Sequence, residues 1–300
     1  MHLRNPVVLA AGTHGTLDEI AQILDLSCVG ALVTKSITVE PRPGNPGVRV
    51  VPLPVGMLNA IGLANPGLDA FLHEHAPRLA QTPCPVIGSI AGVSIDEYVT
   101  IARAFQTLEH MPAVELNVSC PNVHGGTEFA IDPIALSELV GRVRCELKTT
   151  RLIVKLSPIA LGNPGIVEVA RSAIEGLGRP AGPNDRPGAD ALTISNTIPA
   201  MKINIDTGEP VLAAGTGGLS GPALHPIVVR LVYEVSHKIA RDTNTPIIGV
   251  GGVCAWRDAA EMIAAGASAV GMGTATLADV RTVKRVVKGL GRWTARRASV

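Results

Sequence analysis

Cys120 lies in the run Glu115-Leu116-Asn117-Val118-Ser119-Cys120-Pro121-Asn122, where an apolar segment ends in two amides, a hydroxyl and a thiol beside a proline. A lone cysteine is ordinarily a small buried hydrophobe. Its neighbours argue otherwise, because a buried polar group must find a partner or costs free energy. At the C-terminal end of a strand the same groups can face a polar ligand. A thiol with an unperturbed pKa of about 8.5 serves as a base near neutrality once its thiolate is modestly favoured. Lys35 in Thr34-Lys35-Ser36 and Lys155 in Val154-Lys155-Leu156 each place an ammonium at the end of an apolar segment. An unpaired charge is costly there, although a snorkelling lysine is the bland alternative. The Gly251-Gly252 pair and Gly273-Thr274 let backbone N–H groups approach an anion, or simply make tight turns.

These residues need a frame that brings them together. Short apolar or β-branched runs recur at Val7 to Ala11, Ala31 to Thr34, Pro85 to Ile90, Ala113 to Val118, Leu152 to Leu156, Ala191 to Ile194, Pro246 to Val250 and Ala269 to Met272. They are continuous rather than alternating, as in parallel strands buried on both faces. Helical character lies between most of them, at Leu17 to Leu26, Asp96 to Leu108, Pro133 to Leu147, Pro226 to Arg241 and Ala255 to Ala265. Strand then helix, eight times over, predicts an α/β fold of the (β/α)₈ TIM-barrel type spanning residues 1–300 as one domain. A doubly wound open sheet competes, but no GxGxxG turn follows the first strand.

Two connections exceed a simple helix. Ser36 to Ala64 is rich in Pro and Gly, and Pro199 to Ser220 carries the turn signal Asp206-Thr207-Gly208-Glu209-Pro210. Both follow strand ends and are expected to cover the C-terminal mouth. The Gly- and Pro-rich stretch Gly178 to Asp190 precedes its strand, so it belongs at the opposite end. The residues past the strands then converge on one pocket. They are Gly12, Lys35, Ser36, Ser89, Asn117, Cys120, Lys155, Ser195, Asn196, Thr197, Gly251, Gly252, Gly273 and Thr274. A phosphate-bearing planar cofactor with a second, carboxylate-bearing ligand satisfies this set. His14 and His124 fall in loops near the mouth, where a histidine is more often solvated than catalytic.

Composition narrows the setting. With 46% hydrophobic but only 2% aromatic residues, the core must be built from Ala, Val, Leu and Ile. A net charge of +1 without basic runs argues against a nucleic-acid surface. The cysteines Cys28, Cys84, Cys120, Cys145 and Cys254 show no CxxC pair or ligand spacing, so no metal or iron–sulfur cluster is expected in this chain. No apolar run has the length of a signal peptide or a membrane span. The expected setting is soluble and cytoplasmic, with reduced thiols.

Asn117-Val118-Ser119-Cys120-Pro121-Asn122, Val154-Lys155-Leu156-Ser157-Pro158, Ser195-Asn196-Thr197, Gly217-Gly218-Leu219-Ser220-Gly221-Pro222 and Gly249-Val250-Gly251-Gly252 resemble the class 1 dihydroorotate dehydrogenases, in the right order along essentially the whole chain. Met57 to Gly67, preceded by Arg42-Pro43-Gly44-Asn45-Pro46, is more similar to the NAD-linked 1B catalytic subunit than to the fumarate-linked 1A form. The resemblance implies FMN held by Ala11, Lys35, Ser36, Asn117, Lys155, Ser195, Gly221, Gly251, Gly252, Gly273 and Thr274, with Ser89 near the flavin. It implies dihydroorotate or orotate held by Lys35, Asn59, Ala60, Ile61, Gly62, Leu63, Asn117, Asn122, Asn196 and Thr197. Cys120 matches the family's catalytic base. Ser89 stands where many 1B-like members have Asn, and Ala11 where many have Ser, each removing or shortening one polar contact to the cofactor.

The chemistry implied removes a proton and a hydride from adjacent ring carbons of dihydroorotate, the proton to Cys120 and the hydride to flavin N5. Lys155 would favour negative charge on the flavin's pyrimidine edge. Asn59, Asn117 and Asn196 offer the paired donors and acceptors that suit a pyrimidine's amide edges. A 1B-type chain implies a homodimer joined to a partner subunit with FAD and a [2Fe–2S] cluster, which passes electrons to NAD⁺. This chain has neither cluster ligands nor a dinucleotide turn. The alternatives are a fumarate-linked 1A enzyme, an FMN-dependent dihydropyrimidine or dihydrouridine reductase, and a non-catalytic ligand-binding barrel.

Overall fold

The computed structural model describes residues 1–119, 129–158, 162–177 and 182–298. Cys120, Asn122 and His124 lie outside the described residues. Within them run the strands β1 (Val7–Leu9), β2 (Ala31–Val33), β3 (Val50–Leu53), β4 (Gly56–Asn59), β5 (Val86–Ile90), β6 (Ala113–Asn117), β7 (Arg151–Leu156), β8 (Ala191–Ile194), β9 (Ile198–Ala200), β10 (Gly217–Ser220), β11 (Ile247–Val250) and β12 (Ala269–Met272). Eight of these close into a barrel in the order β1-β12-β11-β8-β7-β6-β5-β2, and every pairing around it is parallel. They are the eight apolar runs of the sequence, with ends differing by a residue or two.

Alternation along each strand sorts the core. Val7, Leu9, Leu32, Val86, Val114, Leu116, Leu152 and Val154 pack outward against the helices. Val8, Ala31, Val33, Ile87, Ala113, Ile153, Ile248 and Ala269 fill the lower barrel interior. Small and branched side chains suffice for that layer, which is why so few aromatics are needed.

The helices are α1 (Leu68–Ala70), α2 (Ile95–Phe105), α3 (Pro133–Glu146), α4 (Ile166–Glu175), α5 (His225–Val235), α6 (Trp256–Ala265), α7 (Thr274–Ala278) and α8 (Arg281–Ala298). Ser94 caps α2 by accepting from Glu97 N, and Asp132 caps α3 by accepting from Ile134 N and Ala135 N. The helix expected over Leu17 to Leu26 does not form. Only two 3₁₀ turns, Glu19–Gln22 and Leu26–Cys28, occupy that region. There the Glu19 carboxylate accepts from Leu17 N and the Asp25 carboxylate from Ser27 N, so side chains replace the main-chain ladder.

The two long connections supply β3, β4, β9 and β10, which pair as one antiparallel sheet in the order β3-β4-β10-β9. Asn59 lies opposite Gly218, and Met57 opposite Ser220. This sheet roofs the C-terminal mouth. At the other end, Asp190 from the third Gly- and Pro-rich stretch pairs with Arg144 at 2.8 Å. Among the described residues no helix is long and apolar enough to cross a membrane.

Candidate active site

A cavity of about 600 Å³ lies between the barrel mouth and the antiparallel sheet. Its walls include Ala11, Lys35, Ser36, Asn117, Lys155, Ser195, Gly221, Gly251, Gly252, Gly273 and Thr274, together with Asn59, Ala60, Ile61, Gly62, Leu63, Asn196 and Thr197. Residues from both ends of the chain are thus brought to one pocket by strand ends and by the β3–β4 and β9–β10 hairpins. Cys120 and Asn122 are outside the described residues, but Ser119, next to Cys120 in the chain, lines the cavity. Among the described residues, Ser119 Oγ is buried without a hydrogen-bond partner.

A relay of polar groups runs across the mouth. Ser89 Oγ and Ser36 Oγ are 2.9 Å apart, Asn117 Nδ2 donates to Ser36 Oγ at 3.2 Å, and Asn196 Nδ2 donates to Asn117 Oδ1 at 3.2 Å. Asn196 Oδ1 accepts from Thr197 N at 2.8 Å. Each amide is held by these bonds yet keeps one N–H free of them, as a ligand with pyrimidine-like edges requires. Ser89 is fully buried and sits behind Ser36 rather than in the cavity wall. Its contribution runs through Ser36.

The loop after β4 is shaped by backbone geometry. Gly62 (φ +74°) and Leu63 (φ +55°) are consecutive left-handed residues, a conformation costly for leucine. Asn65 Nδ2 restrains it by donating to Leu63 O at 2.7 Å, and Asn45 Nδ2 donates to Ala60 O at 3.0 Å. Arg42 and Asn45 from the first long connection also reach the cavity wall. They stand in the motif Arg42-Pro43-Gly44-Asn45-Pro46, which carries the family resemblance, but their place in the wall becomes visible only when the hairpin is folded over.

At the opposite side Gly252 adopts φ +66°, and a Cβ there would come within 2.8 Å of Gly221 O and 2.9 Å of His225 N. The turn after β11 therefore excludes a side chain and leaves backbone facing the cavity. Thr274 Oγ1 donates to Ser220 Oγ at 2.7 Å, tying the end of the barrel to its roof. His14 is not solvated. It is buried, with Nδ1 3.0 Å from Ala10 O and Nε2 2.8 Å from Thr276 Oγ1, and burial pushes its pKa down to about 4. It is a structural tie behind Thr13 and Thr274.

Both lysines line the cavity. Lys155 is buried at its floor, and burial lowers the Lys35 ammonium below the ordinary lysine range. Among the described residues no ion pair holds either. The sequence assigns no role to one further carboxylate: Glu115, on β6 two residues before Asn117, is buried inside the barrel. A charged residue at an inward position of an otherwise apolar strand was the available signal.

The arrangement provides a cationic floor, oriented amides and a glycine-lined rim, which suits a planar, anionic, nitrogen-rich ligand. Residues 1–293 match the family model described as dihydroorotate dehydrogenase. The chain is 42% identical over 298 residues to the dihydroorotate dehydrogenase B (NAD(+)), catalytic subunit, of Trichlorobacter lovleyi, covering 99% of this chain and 92% of that protein. It is 45% identical to the subunit of the same name in Geobacillus kaustophilus, covering 93% and 83%. It is also 43% identical to an Aquifex aeolicus protein provisionally named dihydroorotate dehydrogenase A (fumarate), covering 97% and 90%.

Proposed function

The chain belongs to the dihydroorotate dehydrogenase family, and from that premise we propose that it oxidises (S)-dihydroorotate to orotate on FMN, with Cys120 as the base, in pyrimidine biosynthesis. The observation that carries this reading is the convergence of Lys35, Asn59, Asn117, Lys155 and Asn196 on one cavity. The residues present fit FMN. Two ammonium groups at the wall of one cavity suit an anionic ligand, Ser119 Oγ has no hydrogen-bond partner among the described residues, and the Gly251-Gly252 and Gly273-Thr274 segments turn backbone toward it.

When bound, FMN supplies the acceptor for a hydride. This chain's residues do the rest. The Cys120 thiolate takes the proton from one ring carbon as the hydride leaves its neighbour, which forms the ring double bond. Asn59, Asn117, Asn196 and the Ala60–Leu63 backbone orient the ring by its amide edges. Lys155 and Lys35 supply positive charge where negative charge accumulates, and the antiparallel sheet covers the cavity from water.

The electron exit follows the B-type relatives, whose names specify a catalytic subunit and NAD(+). Electrons then leave to a partner subunit carrying FAD and a [2Fe–2S] cluster, joined to a homodimer of this chain. Identity alone does not separate the types, since the A-type relative is as similar; the resemblance of the Met57 to Gly67 segment favours B. The deciding experiment measures flavin absorbance and dihydroorotate oxidation by the purified chain with a dye, fumarate or NAD⁺. Dye reduction without NAD⁺ reduction, and gain of NAD⁺ reduction with the partner, is the expected result. Efficient fumarate reduction would move the chain to the A type. Cys120→Ala is expected to keep FMN yet slow flavin reduction by about 10²-fold or more. Unchanged single-turnover reduction in that variant would remove Cys120 from the mechanism.

A further inference from the structure

Along β6 the side chains alternate between the helix-packed Val114 and Leu116 and the inward Ala113, Glu115 and Asn117. Glu115 is only 2% exposed. Its Oε2 accepts from Thr193 Oγ1 on β8 at 2.7 Å, a bond that crosses the intervening β7. Its Oε1 is buried with no hydrogen-bond partner among the described residues. Lys155 on β7 pairs in register with Asn117 on one side and Thr193 on the other, so Glu115 reaches beneath the lysine that floors the cavity. The facing side chains on neighbouring strands are Ser89, Ile153 and Thr193, with Lys35 at the mouth and Arg151 at the far end of β7. Burial raises the Glu115 pKa, and the Lys155 charge followed by the Thr193 hydroxyl opposes that rise.

A carboxylate with one unpartnered oxygen in this layer is costly, and a packing role is served more cheaply by an apolar residue of the same size. We propose that Glu115 is the buried counter-charge of Lys155 and a positioning residue for the oxidation, anchored by Thr193, directing the ammonium at the cavity and moderating its positive field. The part concerning the cofactor rests on the FMN reading above. The electrostatic part does not.

The two parts separate in experiment. Infrared spectra of Lys155→Met are expected to show a protonated carboxyl band at pH 7 that wild type lacks. The double variant Lys155→Met/Glu115→Gln loses it. Lys155→Gln serves the same purpose if the methionine variant does not fold. No band in either lysine variant overturns the proposal, whatever the cofactor. In flavin-loaded protein, Glu115→Gln keeps an acceptor for Thr193 but removes the negative charge. Its flavin is expected to be easier to reduce, the oxidised–reduced equilibrium against a reference dye shifting roughly tenfold toward the reduced form. An unchanged equilibrium in a folded, flavin-loaded variant overturns the moderating role, because a purely structural residue would give that result. Wild-type protein without flavin would instead refute the FMN reading and leave the infrared result to decide Glu115.

Discussion

Asn196 Nδ2 donates to Asn117 Oδ1 at 3.2 Å, joining the ends of two barrel strands by an amide–amide bond at the cavity wall. Ser36 fixes the other side of Asn117, and the main chain of Thr197 fixes the other side of Asn196. The two amides therefore share one orientation, and neither can flip without reversing its neighbour.

Asn196→Asp replaces that donor with an acceptor and sets two oxygens against each other. Orotate affinity, read from the perturbation of flavin absorbance, is expected to fall about 10–100-fold, the cost of 1–3 kcal/mol for a mispaired buried polar group. Ser89→Ala touches only the far end of the relay. It is expected to purify with full flavin and to bind orotate within about threefold of wild type. Flavin loss in Ser89→Ala would show that Ser89 meets the cofactor directly.

The barrel was legible because each strand is an apolar run buried on both faces, a pattern that few other folds impose for eight units in succession. The roof was legible only as two long connections. Its pairing of Asn59 with Gly218 joins segments far apart in sequence, and such register is set by the closed barrel rather than by local pattern. Ser89 and Glu115 show what one dimension withholds. Both were in plain view at inward positions, but whether an inward side chain reaches the cavity or lies a layer beneath it depends on the stagger of neighbouring strands. The failed helix at Leu17 to Leu26 has a local cause, two carboxylates that bond to nearby N–H groups. Cys120, the most informative residue of the sequence, lies outside the described residues.

Gly252→Val tests the rim. The left-handed backbone at φ +66° strains a β-branched residue, and its Cβ would meet Gly221 O at 2.8 Å and the His225 Cβ at 2.7 Å. The turn must shift, and the backbone that faces the cavity shifts with it. The variant is expected to purify colourless while keeping a cooperative thermal transition. A wild-type ratio of flavin to protein would place the cofactor phosphate elsewhere.

Asp190 carries stability rather than chemistry. Its Oδ2 accepts from Arg144 Nη1 and from Leu152 N, each at 2.8 Å, and its Oδ1 accepts from Asn184 Nδ2 at 2.7 Å. Arg144 is wholly buried, so Asp190→Ala leaves an uncompensated internal cation. Urea unfolding is expected to show a loss of about 3–5 kcal/mol, with flavin content and turnover near normal at low temperature. A loss below about 1 kcal/mol would mean that Arg144 finds other partners.

His14 makes the fold sensitive to mild acid. Burial holds its native pKa at about 4, against an ordinary value of 6.5. Between those values the unfolded chain binds the proton and the native protein does not, so unfolding free energy rises with pH across the window. The contribution is fully present above pH 6.5 and is lost as pH falls toward 4, roughly 3 kcal/mol over the whole span. At pH 5 wild type is expected to have lost roughly 2 kcal/mol from this group relative to pH 7. His14→Gln abolishes that titration, so its unfolding free energy changes less over the same interval, and the difference between the two proteins isolates His14 from the carboxylates common to both. Because the ring bridges Ala10 O and Thr276 Oγ1, its protonation in the native protein, which sets in only as pH approaches about 4, loosens the segment carrying Thr13 and Thr274 at the cavity wall, and flavin release from folded wild type is expected to begin there rather than at pH 5 to 6.5. Identical slopes for wild type and His14→Gln between pH 7 and pH 5 would show that the native imidazole titrates normally and that this tie is not the acid-sensitive element.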